Sequence, residues 1–257
     1  MRRSLSQPRR IAPRPGSGPL GGPLVQLTET GSTNDRAREL ALRGAPHGTV
    51  VLAEHQTAGR GRQGRRWSAP PGRALTLSVL VRAERTRTEL LPLAVALAVC
   101  EACEAVAEVR CEVKWPNDVW IEGRKAAGIL IESRPQDGWA IVGIGLNVDT
   151  AAEELEPELR EIATSLRIAT GAPVDRGRAL DAVFERLAAW IDALRAPERV
   201  LAAFRERDAL YGKRIAWTQG GQPLSGEAQG IEEDGALVVF TDDGQRLRVD
   251  AEVHLER

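Results

Sequence analysis

The sequence predicts an α+β protein with a mixed, mostly antiparallel sheet, covering helices and a small C-terminal β-barrel. Three observations carry this. Four short strands, Glu112 to Trp115, Val119 to Glu122, Ala126 to Glu132 and Trp139 to Asn147, are separated only by Pro116-Asn117, Glu122-Gly123 and Asp137-Gly138. Spacing that short suits antiparallel hairpins, because a parallel crossover needs a dozen or more residues. Helical apolar spacing runs through Leu180, Val183, Phe184, Leu187, Trp190, Ile191 and Leu194, and beyond Gly212 the pattern changes to short strands with glycine turns.

The elements follow in order from Leu24. Ser32, Thr33 and Asn34 are N-cap candidates for a helix over Asp35 to Arg43, where Ala37, Leu40 and Ala41 share a face. Val50 to Glu54 reads as a strand leading into a glycine- and arginine-rich loop. Leu75, Leu77, Val79 and Val81 alternate along another strand after the Pro70-Pro71-Gly72 turn. Thr88 is expected to cap an apolar helix that runs to about Ala107, interrupted by Glu101 and Glu104 and so a buried helix. A helix from about Glu198 to Leu210 closes the larger unit, and strands at Arg214 to Gln219, Gly226 to Ile231, Ala236 to Phe240 and Gln245 to Val249 build the smaller one.

Composition narrows the function. The 257 residues, 42% hydrophobic, suffice for one large domain and one small one, and no apolar run approaches the roughly 18 residues of a membrane span. With 35 Lys+Arg against 36 Asp+Glu the chain is close to neutral, which argues against nucleic acid as a partner. Three cysteines, Cys100, Cys103 and Cys111, imply reduced thiols and a cytoplasmic protein. The Cys100-Cys103 pair has no second pair and only three histidines to complete a metal shell, so core packing is the reading taken. Residues 1 to 23 carry five arginines and five prolines with no acidic residue and are expected to be disordered; the prolines count against a transit-peptide helix.

The most informative stretch is Gly59 to Trp67, GRGRQGRRW, with four arginines and three glycines in nine residues. Glycine frees backbone N–H groups to line an anion site, and Arg60, Arg62, Arg65 and Arg66 add bidentate donors. A solvated basic turn is the bland alternative. A second cluster, Lys114 to Glu132, reads KWPNDVWIEGRKAAGILIE. Together with GSTN at Gly31 to Asn34, HQTAGRGRQGRRW at His55 to Trp67 and GIGLNV at Gly143 to Val148, it resembles the biotin protein ligases, in their order and at similar spacing. The resemblance extends from about Leu24 to the C-terminus. The ending AEVHLER departs from the family's usual Gly-Glu-Val run at its first residue.

The resemblance implies a class II aminoacyl-tRNA synthetase-like catalytic domain over residues 24–210 and an SH3-like domain over residues 211–257. Some members carry an N-terminal winged-helix DNA-binding domain that makes them repressors; residues 1 to 23 are too few to fold into one, so the ligase-only type is expected. The reaction implied uses ATP to convert biotin to biotinyl-5′-AMP and passes biotin to one lysine of a biotin carboxyl carrier domain. Mg²⁺ comes with the triphosphate rather than from any metal-ligand cluster. Two anions must meet in the first step, so a converging positive group is needed. Lys125 is assigned that role by its place at the start of an apolar strand and, by resemblance, contacts both biotin and the adenylate. Asp118 is the general-base candidate or orients Lys125, and Asn117 is a phosphate-side donor or metal-shell member. By resemblance Arg60, Gly61 and Arg62 belong to the biotin loop, Arg62 closing over the adenylate, while Arg65 faces phosphate and Trp67 stacks beneath adenine or serves the core. Ser32, Thr33, Asn34 and Gln56 match the ureido and ring-wall positions, Gly143 and Gly145 thin the pocket wall, and Asn147 lies on the nucleotide side. The alternative is a lipoate ligase or octanoyl transferase of the same fold, which leaves the arginine loop unexplained. No membrane partner is expected, and a homodimer is compatible with the sequence.

Overall fold

The computed structural model describes residues 9–11, 20, 22–82, 88–249 and 251–256. Most of the N-terminal stretch read as disordered lies outside the described residues; within it Arg9–Ile11 form β1, paired antiparallel with β2 (Leu24–Thr30). Then follow α1 (Thr33–Leu42), β3 (Val50–Gln56), β4 (Ala74–Arg82), α2 (Leu91–Val106), β5 (Glu112–Lys114), β6 (Asp118–Ile121), β7 (Arg124–Arg134) and β8 (Trp139–Asn147). The eight strands form one sheet in the order β1-β2-β3-β4-β8-β7-β6-β5. Only β2 and β3 run parallel, as the crossover through α1 requires; the other neighbours are antiparallel. The mixed, mostly antiparallel sheet expected from the strand spacing is present.

Period-two alternation gives each strand two faces. Leu75, Leu77, Val79 and Val81 of β4 enter the main core with α2 and with α4 (Arg176–Ala193), while Leu80 joins Val51, Ile141, Ala37 and Ala41 under α1. Every residue of β8 is buried, as a central strand covered on both faces must be. Helix α2 is apolar on all sides from Leu91 to Cys100, and Ala94 to Cys100 are wholly inaccessible. Cys100, Cys103 and Cys111 are free and buried, which agrees with their reading as core thiols. Among the described residues no helix is long and apolar enough to cross a membrane.

The helix ends depart from expectation. Thr88 does not cap α2: the helix begins at Leu91 with Pro92 in its first turn, its N-cap is Leu90, and Thr88 offers only its carbonyl to Leu91 N–H. Ser32 stands at the N-cap of α1 but makes no capping bond, and Thr33 and Asn34 lie within the helix. A short α3 (Leu166–Thr170), capped by Ser165, was not anticipated, and α5 (Pro197–Arg205) stops five residues before Leu210.

Glu104, near the end of α2, ties three segments together. Its two oxygens accept from Arg207 Nη1 at 2.6 Å and Nη2 at 2.8 Å, and Oε1 also accepts from Cys111 N–H at 2.9 Å. Burial alone would raise its pKa, but the Arg207 bonds and the Cys111 amide outweigh it and hold the carboxyl below its usual range. A depressed carboxylate contributes stability that is present above the unfolded-state pKa, near 4.3, and is lost as pH falls through the folded value. Glu104→Gln is therefore expected to lose about 1.5–3 kcal/mol at neutral pH. Urea unfolding at a series of pH values checks this: the gap to wild type should close below about pH 4, and a gap that stays constant would show that the charge is not what matters.

Beyond α5 come β9 (Arg214–Gln219), β10 (Gln222–Ile231), β11 (Leu237–Thr241), β12 (Arg246–Val249) and β13 (Val253–Leu255). They form an antiparallel sheet in the order β12-β11-β10-β9-β13. Its outer strands do not pair, so the expected barrel is an SH3-like sheet whose hydrogen-bonded ring is not closed. The unit packs firmly on the rest: Trp115 Nε1 donates to Gly235 O at 2.9 Å, and Ile215, Trp217, Leu237 and Val253 belong to the same core as α2 and α4.

Candidate functional site

On the α1 face of the sheet three glycines form the floor of a cleft open to solvent, with a cavity volume of about 100 Å³. Gly143 and Gly145 come from β8, and Gly128 of β7 sits in register beside Gly145. Gly143 and Gly145 are required by what lies over them, and Gly128 is tightly overlain. A Cβ at Gly143 would stand 2.3 Å from Asn34 Oδ1, one at Gly145 2.3 Å from the Trp67 ring, and one at Gly128 3.1 Å from Lys125 Nζ. The floor thus holds a carboxamide, an indole and an ammonium directly against backbone.

At one end the wall is neutral and hydrogen-bonded. Thr33 donates from N and Oγ1 to Gln56 Oε1 at 2.7 and 3.0 Å, joining the first turn of α1 to the end of β3. Ser78 Oγ, wholly buried on β4, lies 2.7 Å from Thr33 Oγ1 and 2.6 Å from Asn34 Oδ1. Asn34 Nδ2 reaches Leu130 O only at 3.5 Å. Such a wall suits an uncharged polar ring.

At the other end charges converge. Lys125 Nζ lies 2.6 Å from Asp118 Oδ1, the two strands being joined by a hairpin through Glu122 and Gly123, both at positive φ (51° and 74°). Lys125's backbone is fixed by bonds from its N–H to Ile162 O and from Thr164 N–H to its carbonyl, each 2.9 Å. Lys114 lies buried beside this pair with Nζ 5.5 Å from the Trp120 ring centre; burial lowers its pKa against the attraction of Asp118 and Glu252. Glu252, from the C-terminal unit, lines the cleft and pairs with Arg65. Asn117 Nδ2 donates to Ile129 O at 2.6 Å, which leaves its oxygen free to accept. Two loop residues thus bring positive charge to the cleft, Arg62 and Arg66, beside the paired Arg65.

Residues 24–149 match the Biotin/lipoate A/B protein ligase family and residues 211–251 the biotin protein ligase C-terminal domain. The chain is 39% identical to the biotin–acetyl-CoA-carboxylase ligase of Mycobacterium tuberculosis, over 86% of this chain and 85% of that one. It is 36% identical to the ligase of the same name from Paracoccus denitrificans, over 88% of this chain and 98% of that one. The chain belongs to the biotin protein ligase family. Among solved structures, the Aquifex aeolicus biotin protein ligase in complex with biotin and ATP superimposes with a TM-score of 0.80 at 28% identity, covering 91% of this chain and 99% of that one. These likenesses favour a biotin ligase over the lipoate alternative.

Seen as a biotin protein ligase, the chain gathers nearly all the residues singled out from its sequence. Ser32, Thr33, Asn34, Gln56, Arg60, Gly61, Arg62, Arg65, Trp67, Asn117, Asp118, Lys125, Gly143 and Gly145 all line the one cleft. Asn147 does not: it is buried and donates to Thr164 O at 3.0 Å, bracing the segment that holds Lys125's backbone. Arg60's guanidinium is engaged by the carboxylates of Asp35 and Glu132. Gly143 and Gly145 do thin the floor, yet the space they leave is filled by Asn34 and Trp67. Four further residues belong to the site without a local sequence signal that assigns them a role: Ser78, the lone serine of β4; Gly128, within GRKAAGILIE; Lys114; and Glu252, within the AEVHLER ending.

Proposed function

We propose that this ligase seats biotin's ureido ring against Thr33, Asn34 and Gln56 and its carboxylate beside Lys125, with ATP's phosphates under Arg62 and Arg65. The carboxylate oxygen attacks the α-phosphorus, pyrophosphate leaves, and biotinyl-5′-AMP remains. A carrier-domain lysine then attacks the acyl carbon, AMP departs, and Asp118 takes the proton the amine must lose. The observation that carries the reading is the single glycine-floored cleft with a neutral wall at one end and the Lys125–Asp118 pair at the other. Trp67 lies over Gly145 with its indole N–H unpartnered, in keeping with a ring that stacks on adenine.

Mg²⁺ fits as a companion of the triphosphate. Among the described residues no three side chains form a metal cage, and Asn117's free oxygen with the Asp118 carboxylate offers the small donor set that Mg²⁺ uses beside phosphate and water. The ion would supply charge neutralisation there. The macromolecular partner is the carrier domain rather than DNA, in line with the near-neutral charge, and the buried free thiols suit a reducing cytoplasm.

Biotin-dependent release of pyrophosphate from ATP tests the activity, and Arg62→Gly tests the lid. Losing one charge-assisted contact to the adenylate costs on the order of 1.5–3 kcal/mol, so biotinyl-adenylate should escape roughly 10 to 100 times faster. Adenylate would still form at Lys125 and would acylate bystander lysines. Albumin mixed with the variant, ATP and biotin should then be labelled on a streptavidin blot, where wild type labels it little. A variant that consumes ATP with biotin yet labels no more albumin than wild type would show that Arg62 does not retain the adenylate.

A further inference from the structure

Arg60 sits in the arginine loop and lines the cleft, and its guanidinium is held by carboxylates. Its Nη1 donates to Asp35 Oδ2 at 2.6 Å, and its Nη2 donates to Asp35 Oδ1 at 2.8 Å and Glu132 Oε1 at 3.0 Å. Arg38 Nη2 closes a ring, donating to Asp35 Oδ1 at 2.6 Å and Glu132 Oε2 at 2.9 Å. Two guanidiniums and two carboxylates cancel, so the ring adds no net charge to the cleft. The Arg60 bond holds the Asp35 carboxyl below its usual range, and the pair stays ionised at neutral pH.

The ring joins three segments that sequence separates widely. Asp35 lies in the first turn of α1, next to Thr33 and Asn34 on the neutral wall; Glu132 lies on β7, seven residues beyond Lys125; Arg60 opens the loop. The loop's hairpin bonds, Gly61 N–H to Arg65 O at 2.7 Å and Trp67 N–H to Gly59 O at 3.0 Å, fasten it only to itself. The Arg60 fork is what fastens that hairpin to α1 and β7. A planar bidentate fork fixes direction as well as distance, which a point charge would not do.

We propose that Asp35 and Glu132 are positioning residues that grip Arg60 and thereby hold the arginine loop over the cleft, so that Arg60 anchors the loop and Arg62 makes the ligand contact. The kinetic consequence rests on the ligase reading; the physical one, a loop restrained by the ring, does not. With the ring broken, the loop should be cut faster by protease, and biotin and its adenylate should be held less well.

Asp35→Asn and Glu132→Gln in the full chain test this, with Arg60→Lys as a third variant that keeps charge and loses the fork. Trypsin cleavage after residues 60–66, without ligands, should quicken roughly tenfold in Asp35→Asn, the equivalent of losing about 1.4 kcal/mol of restraint. The thermal midpoint should stay close to wild type, because the ring lies at the surface of the core and not within it. KM for biotin should rise several-fold with kcat falling less, and Arg60→Lys should behave like Asp35→Asn. Unchanged cleavage and KM in both carboxylate variants would overturn the proposal. So would tighter biotin binding in either, since that would mean the carboxylates compete with biotin for Arg60. Failure of the ligase reading would look different: wild type would release no pyrophosphate with biotin, while the cleavage difference between variants persisted.

Discussion

Lys125→Met is expected to cut biotin-dependent adenylation by about 10²–10³-fold while leaving the protein folded. Methionine keeps much of the unbranched stem that lies across Gly128, and removes the charge from the point where a carboxylate and a phosphate must approach one another. The ammonium is poised in advance: its backbone is bonded on both sides to the 162–164 segment, and Asp118 holds Nζ at 2.6 Å. An electrostatic group that need not reorganise during the reaction contributes most to the transition state. The loss should therefore appear in kcat of single-turnover adenylation more than in the affinity for biotin. Removing one partner also leaves Asp118, whose side chain is 14% exposed, without its counter-ion. Asp118→Asn combined with Lys125→Met should recover stability but no adenylation. If Lys125→Met forms biotinyl-adenylate at close to the wild-type rate, the charge at the reacting carboxylate comes from elsewhere, and Arg62, Lys114 or the metal becomes the first place to look.

The parts of this fold that could be read from sequence are those governed by local periodicity. Strands β4, β7 and β8 alternate or run apolar over seven or more residues and fell within a few residues of their expected bounds. Helix α2 was legible from its apolar length, but its start was not. Thr88 has the chemistry of a cap, whereas Pro92 and the packing of Leu90 set the helix start two residues later. The motifs bring fourteen of the expected residues to one cleft because the start of α1, the end of β3 and the loop after it meet β6, β7 and β8 there. Asn147 lies outside the cleft: at the last position of a fully buried strand, its side chain donates to the backbone carbonyl of Thr164. The ionic ring was illegible, since Asp35 and Arg60 are 25 residues apart and Glu132 lies 72 beyond. No local pattern encodes that meeting. Glu252 was hidden likewise, because its part in the cleft depends on how the C-terminal unit docks through Trp115 and Gly235.

The neutral wall should make the enzyme discriminate against acids of similar length that lack a ureido group. Lipoate and octanoate are expected to be adenylated with kcat/KM lower by up to about 10⁴-fold. The reason lies in what the wrong ligand leaves behind. Thr33, Asn34, Gln56 and Ser78 are polar, tightly coupled and partly or wholly buried, with Asn34 Nδ2 bonded to Leu130 O only at a long 3.5 Å. A ureido carbonyl and its two N–H groups can pair with such a wall, whereas an alkyl chain or a dithiolane excludes water from it and pairs with nothing, so desolvation of the wall is not repaid. Ser78 should be the hidden determinant, because it orients Thr33 and Asn34 at once without needing to touch the ligand. Ser78→Ala is expected to narrow the preference for biotin over lipoate roughly tenfold, the equivalent of about one lost hydrogen bond. Competition of the three acids in pyrophosphate release, with wild type and Ser78→Ala side by side, measures both effects. Equal turnover of biotin and lipoate by wild type would refute the assignment of the neutral wall to the ureido ring, and an unchanged ratio in Ser78→Ala would mean that Gln56 alone orients it.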